Sequence, residues 1–251
     1  AHTRHCLLRA STPMLCIAIK IDYISQMQLN PQTQLIKHVI QRIERCMSYY
    51  YGFTLQMSAA DYLVSRETIL RMVDDAEHYP EWQALAAVWF DMRGDEMYVA
   101  LHCDSTIIAA LTEQDPCERL HNGNLTDFCV LVEEVSHFHL LTNKAAQQAD
   151  LSRLELELQA EIDKVIVSAD FIYRQTGACH LVPLVKIICR DVAGLGSLYR
   201  QASLWAWHFF CCFMAAESVH TYSASLQELL RHCYLFPWQQ KRPLLFDPLF
   251  I

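Results

Sequence analysis

From Gln34 to Tyr50 apolar residues return every three to four positions, with Ile36, Val39, Ile40, Ile43 and Met47 on one side, and Tyr51-Gly52 ends the run. The spacing predicts an amphipathic helix. Phe53 to Met57 reads as a short strand, and Ser65 offers an N-cap for a helix to about Glu77, where Tyr79-Pro80 stops it. The pattern then changes period. Val88/Phe90 and Met97/Val99/Leu101 alternate with other residues around Arg93-Gly94-Asp95, which predicts a β-hairpin.

Beyond Ser105 the period is helical throughout, with helices expected at Thr106 to Thr112, Leu125 to Thr142, Leu151 to Arg174, Leu181 to Asp191, Tyr199 to Glu217 and Ser225 to Tyr234. Turn residues separate them at His121-Asn122-Gly123, Gly177, Gly194 to Gly196 and Pro237. The expected fold is α+β, mainly α-helical, with one small antiparallel sheet before a central helix pair. Residues 27–251 are expected to form one domain: a helix and small sheet over 27–104, and a helical body over 105–251. Residues 1–26 are set apart as an N-terminal extension, either transit-like or upstream of a start at Met27, because MLCIAI is too short for a secretory core.

Composition narrows the function classes. The chain has 251 residues, 53% of them hydrophobic, which is enough to bury a substantial core. A net charge of -8 with scattered Lys and Arg gives no footprint for nucleic acid. The longest uncharged apolar run, Ala202 to Ala216, falls short of the roughly 20 residues that span a bilayer. It is expected to be a buried helix, and no transmembrane segment is expected. The 11 cysteines form no C-x-x-C pair and sit mostly in apolar segments, which suggests reduced thiols in a cytoplasmic protein.

The chemistry concentrates in Leu131 to Asn143, LVEEVSHFHLLTN. With Asn124 as N-cap, Phe128, Leu131, Val132, Val135 and Phe138 define a buried face, and Glu133, Glu134 and His137 lie opposite. Val130, Leu140 and Leu141 project into that same arc, so the polar stripe is hemmed in by apolar residues. Buried carboxylates there need hydrogen bonds, a cation or a metal. Glu133 and His137 stand at i, i+4, and Glu134 and His137 form E-x-x-H. The next helix adds Glu157 and Glu161, one turn apart, behind a Ser152/Glu155 capping box. A loop around Lys144 to Asp150 would fold the two helices into an antiparallel hairpin.

The E-E-x-x-H stripe resembles the active-site helix of the H-E-x-x-H metalloproteases, the zincins, and its order of strand, motif helix and second acidic helix is similar to the Glu-zincin layout over about Ala86 to Asp163. The resemblance implies a divalent metal held by Glu133, His137 and Glu157 or Glu161, with Glu134 as general base for hydrolysis of a peptide or protein. Glu133 stands where the zincins carry a histidine. An oxygen-rich set of this kind favours Mn or Fe more than a His-rich zinc site does, and leaves open an active or a degenerate centre. The competing expectation is a non-catalytic helical scaffold or interaction module in which the same acids pair with Arg or Lys from another helix, such as Arg153, Arg200 or Arg231. A ferritin-like di-iron bundle would need further Glu and E-x-x-H ligands on two other helices. His139, on the apolar face, is expected to be a satisfied core histidine.

Overall fold

The computed structural model describes residues 31–65, 68, 85–93, 96–178, 180–189, 196–216, 224–235 and 241. Helix α1 is Pro31–Tyr51, followed by a 3-10 turn at Ala59–Tyr62 and strands β1 (Leu63–Val64), β2 (Ala86–Arg93) and β3 (Glu96–Cys103). Helices α2 (Ser105–Glu113), α3 (Leu125–Ala146), α4 (Arg153–Thr176), α5 (Leu181–Ile188), α6 (Ser197–Ala216) and α7 (Ala224–Leu235) complete the described chain. The α+β, mainly helical reading is what the structure shows. Residues 1–30 and most of the helix expected after Ser65 lie outside the described residues. The start of that helix is visible, where Thr68 N–H donates to Ser65 Oγ at 3.3 Å.

The β2–β3 hairpin is antiparallel, with Val88 opposite Leu101 and Arg93 opposite Glu96. The sheet is larger than the hairpin alone, because β1 adds in parallel to β3 through Leu63 and Val64. Two residues are too short for a legible alternation. Phe53 to Met57, expected as a strand, makes no strand; Ser48 Oγ donates to Phe53 O at 2.7 Å and His139 packs on the Phe53 ring instead.

Helix α3 runs through the middle of the molecule, packed by α1, α2, α4 and the sheet. Every residue from Val135 to Thr142 is buried, which is why its polar stripe cannot be a solvated face. Its start corrects one expectation. Asn124 makes no side-chain capping bond to α3; its Oδ1 accepts from His121 N and its Nδ2 donates to Gln114 O and Arg119 O, so it ties the preceding turns together. The α3–α4 turn uses Gln148 in the left-handed region, φ 53°. Ser152 caps α4 as expected, accepting from Glu155 N at 3.1 Å. Gly177 ends α4 at φ 71°, a conformation glycine takes without a Cβ penalty. Helices α5 and α6 cover the outer side of α4. Among the described residues no helix is long and apolar enough to cross a membrane.

Candidate metal centre between α3, α4 and the sheet edge

The α3–α4 hairpin brings the expected acids together. Ligand atoms of Glu133, His137 and Glu157 lie within 4.8 Å of one another, with His137 and Glu157 buried and Glu133 half-buried. His137 sits between two carboxylates, its Nδ1 3.7 Å from Glu134 Oε2 and its Nε2 3.6 Å from Glu157 Oε2. Both separations exceed hydrogen-bond length, and Nε2 is buried without a hydrogen bond. Burial opposes a charge on this imidazole, but the flanking Glu134 and Glu157 outweigh it and push its pKa up to about 10.

Glu134 is anchored from the sheet. Among the described residues strand β2 lies at the sheet edge, and Val88 N–H donates to Glu134 Oε2 at 2.7 Å. Glu161 does not join the three-residue group. Its Oε1 is 2.7 Å from Lys164 Nζ, and the same ammonium lies 2.9 Å from Glu133 Oε2. Burial raises the Glu161 carboxyl above its ordinary value despite Lys164, whereas for Glu133 the same burial is overcome by Lys164 and His137, which hold it low.

The cationic partner of Glu133 is therefore a lysine of the next helix, Lys164, and none of the three arginines named from sequence takes that place. Arg153 is mostly exposed and only approaches Glu157, at 3.8 Å. Arg200 is exposed, and Arg231 donates to Tyr49 O at 3.5 Å, far along the chain from the acids. Lys164 was legible in principle, because it stands three residues after Glu161 on the same helix face. Tyr199 was not. It stands on α6 at the rim, where Arg153 donates to its hydroxyl at 3.3 Å, and burial together with the charges of Glu157 and Glu133 raises its pKa.

His139 faces away from this centre. Its Nε2 lies 3.0 Å from Glu44 Oε1, and Glu44 also accepts from Ala59 N at 2.5 Å and Ser58 Oγ at 2.7 Å. It is a satisfied core histidine. A second buried carboxylate, Asp163, accepts from Tyr51, from Ser136 at 2.5 Å and from Gln159 at 3.1 Å. Two further E-x-x-H spacings exist in the chain. Glu118 and His121 lie in turns between α2 and α3, and Glu217 with His220 falls outside the described residues, so no second helical E-x-x-H faces the centre among the described residues.

The chemistry of the group is that of two carboxylates and one imidazole around a common point, in a largely buried site with surplus negative charge. Four carboxylates (Glu133, Glu134, Glu157, Glu161) face one lysine and one imidazolium, with Arg153 at the rim. Such a set can hold one divalent ion. Comparison with protein-family models, curated proteins and solved structures finds no match.

Proposed function

We propose that the protein binds one divalent metal ion through Glu133, His137 and Glu157, and uses it in zincin-like hydrolysis of a peptide or amide bond. The observation that supports this reading is the convergence of the three ligand atoms within 4.8 Å beside an excess of carboxylate. Replacing the His137 proton by a divalent ion lowers that excess. Nε2 would be the ligand atom, since Nδ1 faces Glu134, and a carboxylate on the second ring nitrogen is how metal-bound imidazoles are usually oriented. The oxygen-rich donors suit Mn or Fe as well as Zn. The ion would supply Lewis-acid chemistry. Glu134 would orient His137 and act as general base through Oε1, the oxygen outside the Val88 bond. All eight described cysteines are unpaired, which fits a cytoplasmic setting.

A second reading has its own support. Lys164 already bridges Glu133 and Glu161 at 2.9 and 2.7 Å, as it would in a non-catalytic scaffold whose acids exist to be paired. Elemental analysis separates the two. On the metal reading about one equivalent of Zn, Mn or Fe copurifies and is lost in Glu133→Ala and His137→Ala, while Glu134→Gln keeps the metal and loses peptide hydrolysis. A metal-free protein that cannot be reconstituted, in which His137→Ala alters stability only, would leave the scaffold.

A further inference from the structure

On the opposite side of α4, facing α1, lies a cleft of about 120 Å³ lined by Arg42, Arg45, Cys46, Asp170, Phe171 and Arg174. Three guanidiniums on one small concavity stand out in a chain of net charge -8. Among the described residues, two of them are held by the protein through Nε. Arg174 Nε donates to Asp170 Oδ2 at 2.5 Å, and Arg45 Nε donates to Gln41 O at 3.2 Å. Fixing Nε leaves the paired terminal N–H groups of each fork for something else, and a fork of this kind matches two oxygens of one anion.

Asp170 is itself placed, because it is buried and its Oδ1 accepts from Tyr50 at 3.4 Å. Its single charge leaves the lining with an excess of two positive charges. Asp115 lies on the neighbouring turn, occupied by the N–H of Cys117 at 2.8 Å, and the fields of Arg42 and Arg45 reach that same cysteine. A carboxylate ligand would bring one negative charge; a phosphate group brings about -1.5 to -2 at neutral pH and three acceptor oxygens. The Cys46 thiol at the cleft is no nucleophile, since burial and Asp170 hold it protonated.

We propose that this α1–α4 cleft binds a phosphate group, either free phosphate or the phosphomonoester of a larger ligand. The site is independent of the metal reading, so it is tested in EDTA on the full chain, by calorimetric titration with inorganic phosphate and with phenyl phosphate at low ionic strength. The expected result is saturable binding near one equivalent. Arg42→Gln and Arg45→Gln should each weaken it at least fivefold, and the double variant should abolish it with an unchanged thermal midpoint. Arg174→Lys, which keeps the charge and loses the fork, should weaken it as well. Equal affinity for the two probes would assign free phosphate, and tighter phenyl phosphate a phosphorylated molecule. Absence of saturable binding by both probes, or binding unchanged in the double variant, would overturn the proposal.

Discussion

Raising the pH on metal-free protein should weaken it from about pH 6.5 upward through His137. Its imidazole is buried between Glu134 and Glu157, which lift its pKa from 6.5 to about 10 against the penalty of burial. At 1.36 kcal/mol per pKa unit, a rise of that size corresponds to about 5 kcal/mol of folding stability. Between these two values the folded chain holds a proton that the unfolded chain has released. Stability is therefore complete below about pH 6.5, falls by about 1.4 kcal/mol per pH unit, and levels off above about pH 10. Urea denaturation in EDTA across this window measures the slope directly. Other buried groups need separating, among them the thiols of Cys46, Cys103, Cys189 and Cys233, which burial holds protonated and which add a slope of the same sign at the top of the window. Asp163, raised to about 6 by burial, titrates below the window, and Lys241, held low by burial, contributes a slope of opposite sign. Subtracting the profile of His137→Gln removes all of these. Equal slopes in wild type and His137→Gln would refute the assignment of a buried imidazolium to this position.

Lys164→Met leaves the buried Glu161 and the half-buried Glu133 without their cation, and breaking the buried Lys164–Glu161 pair should cost about 3 kcal/mol in urea denaturation. An unchanged midpoint would mean that Glu161 gains nothing from its lysine. Glu44→Ala removes the acceptor of Ser58, Ala59 and His139 together, and at about 1 kcal/mol per bond it should lower stability by about 3 kcal/mol in chemical denaturation. Phe138→Ala opens a cavity in the middle of the core, where the ring is 0% exposed, and should cost about 3–5 kcal/mol by calorimetry.

Most of the helices were legible because their apolar spacing and their end signals agree. Ser152 with Glu155 and Gly177 bracket α4 in the sequence, and the structure uses both as caps. Where a residue had two competing uses, the sequence could not choose between them. Asn124 reads as an N-cap, yet its amide is spent on Gln114, Arg119 and His121. Glu155 completes a capping pattern, but its carboxylate lies 3.0 Å from Lys144 and 2.8 Å from Lys241, the latter 86 positions away. The convergence of Glu133, His137 and Glu157 followed from wheel geometry and a short helix connection. The links of Glu134 to Val88, of His139 to Glu44 and of Tyr199 to Arg153 join distant segments, and no local pattern encodes such pairings. The cleft of Arg42, Arg45 and Arg174 is of the same kind, since α1 and α4 meet only in the fold.

The central claim is a metal held by Glu133, His137 and Glu157. Elemental analysis of protein purified without an affinity tag tests it most directly, run beside Glu133→Ala, His137→Ala and Glu157→Ala. About one equivalent of Zn, Mn or Fe in the wild type, absent from all three variants, is the predicted result. A wild type that stays metal-free after reconstitution, or variants that bind as much metal as it does, would contradict the account.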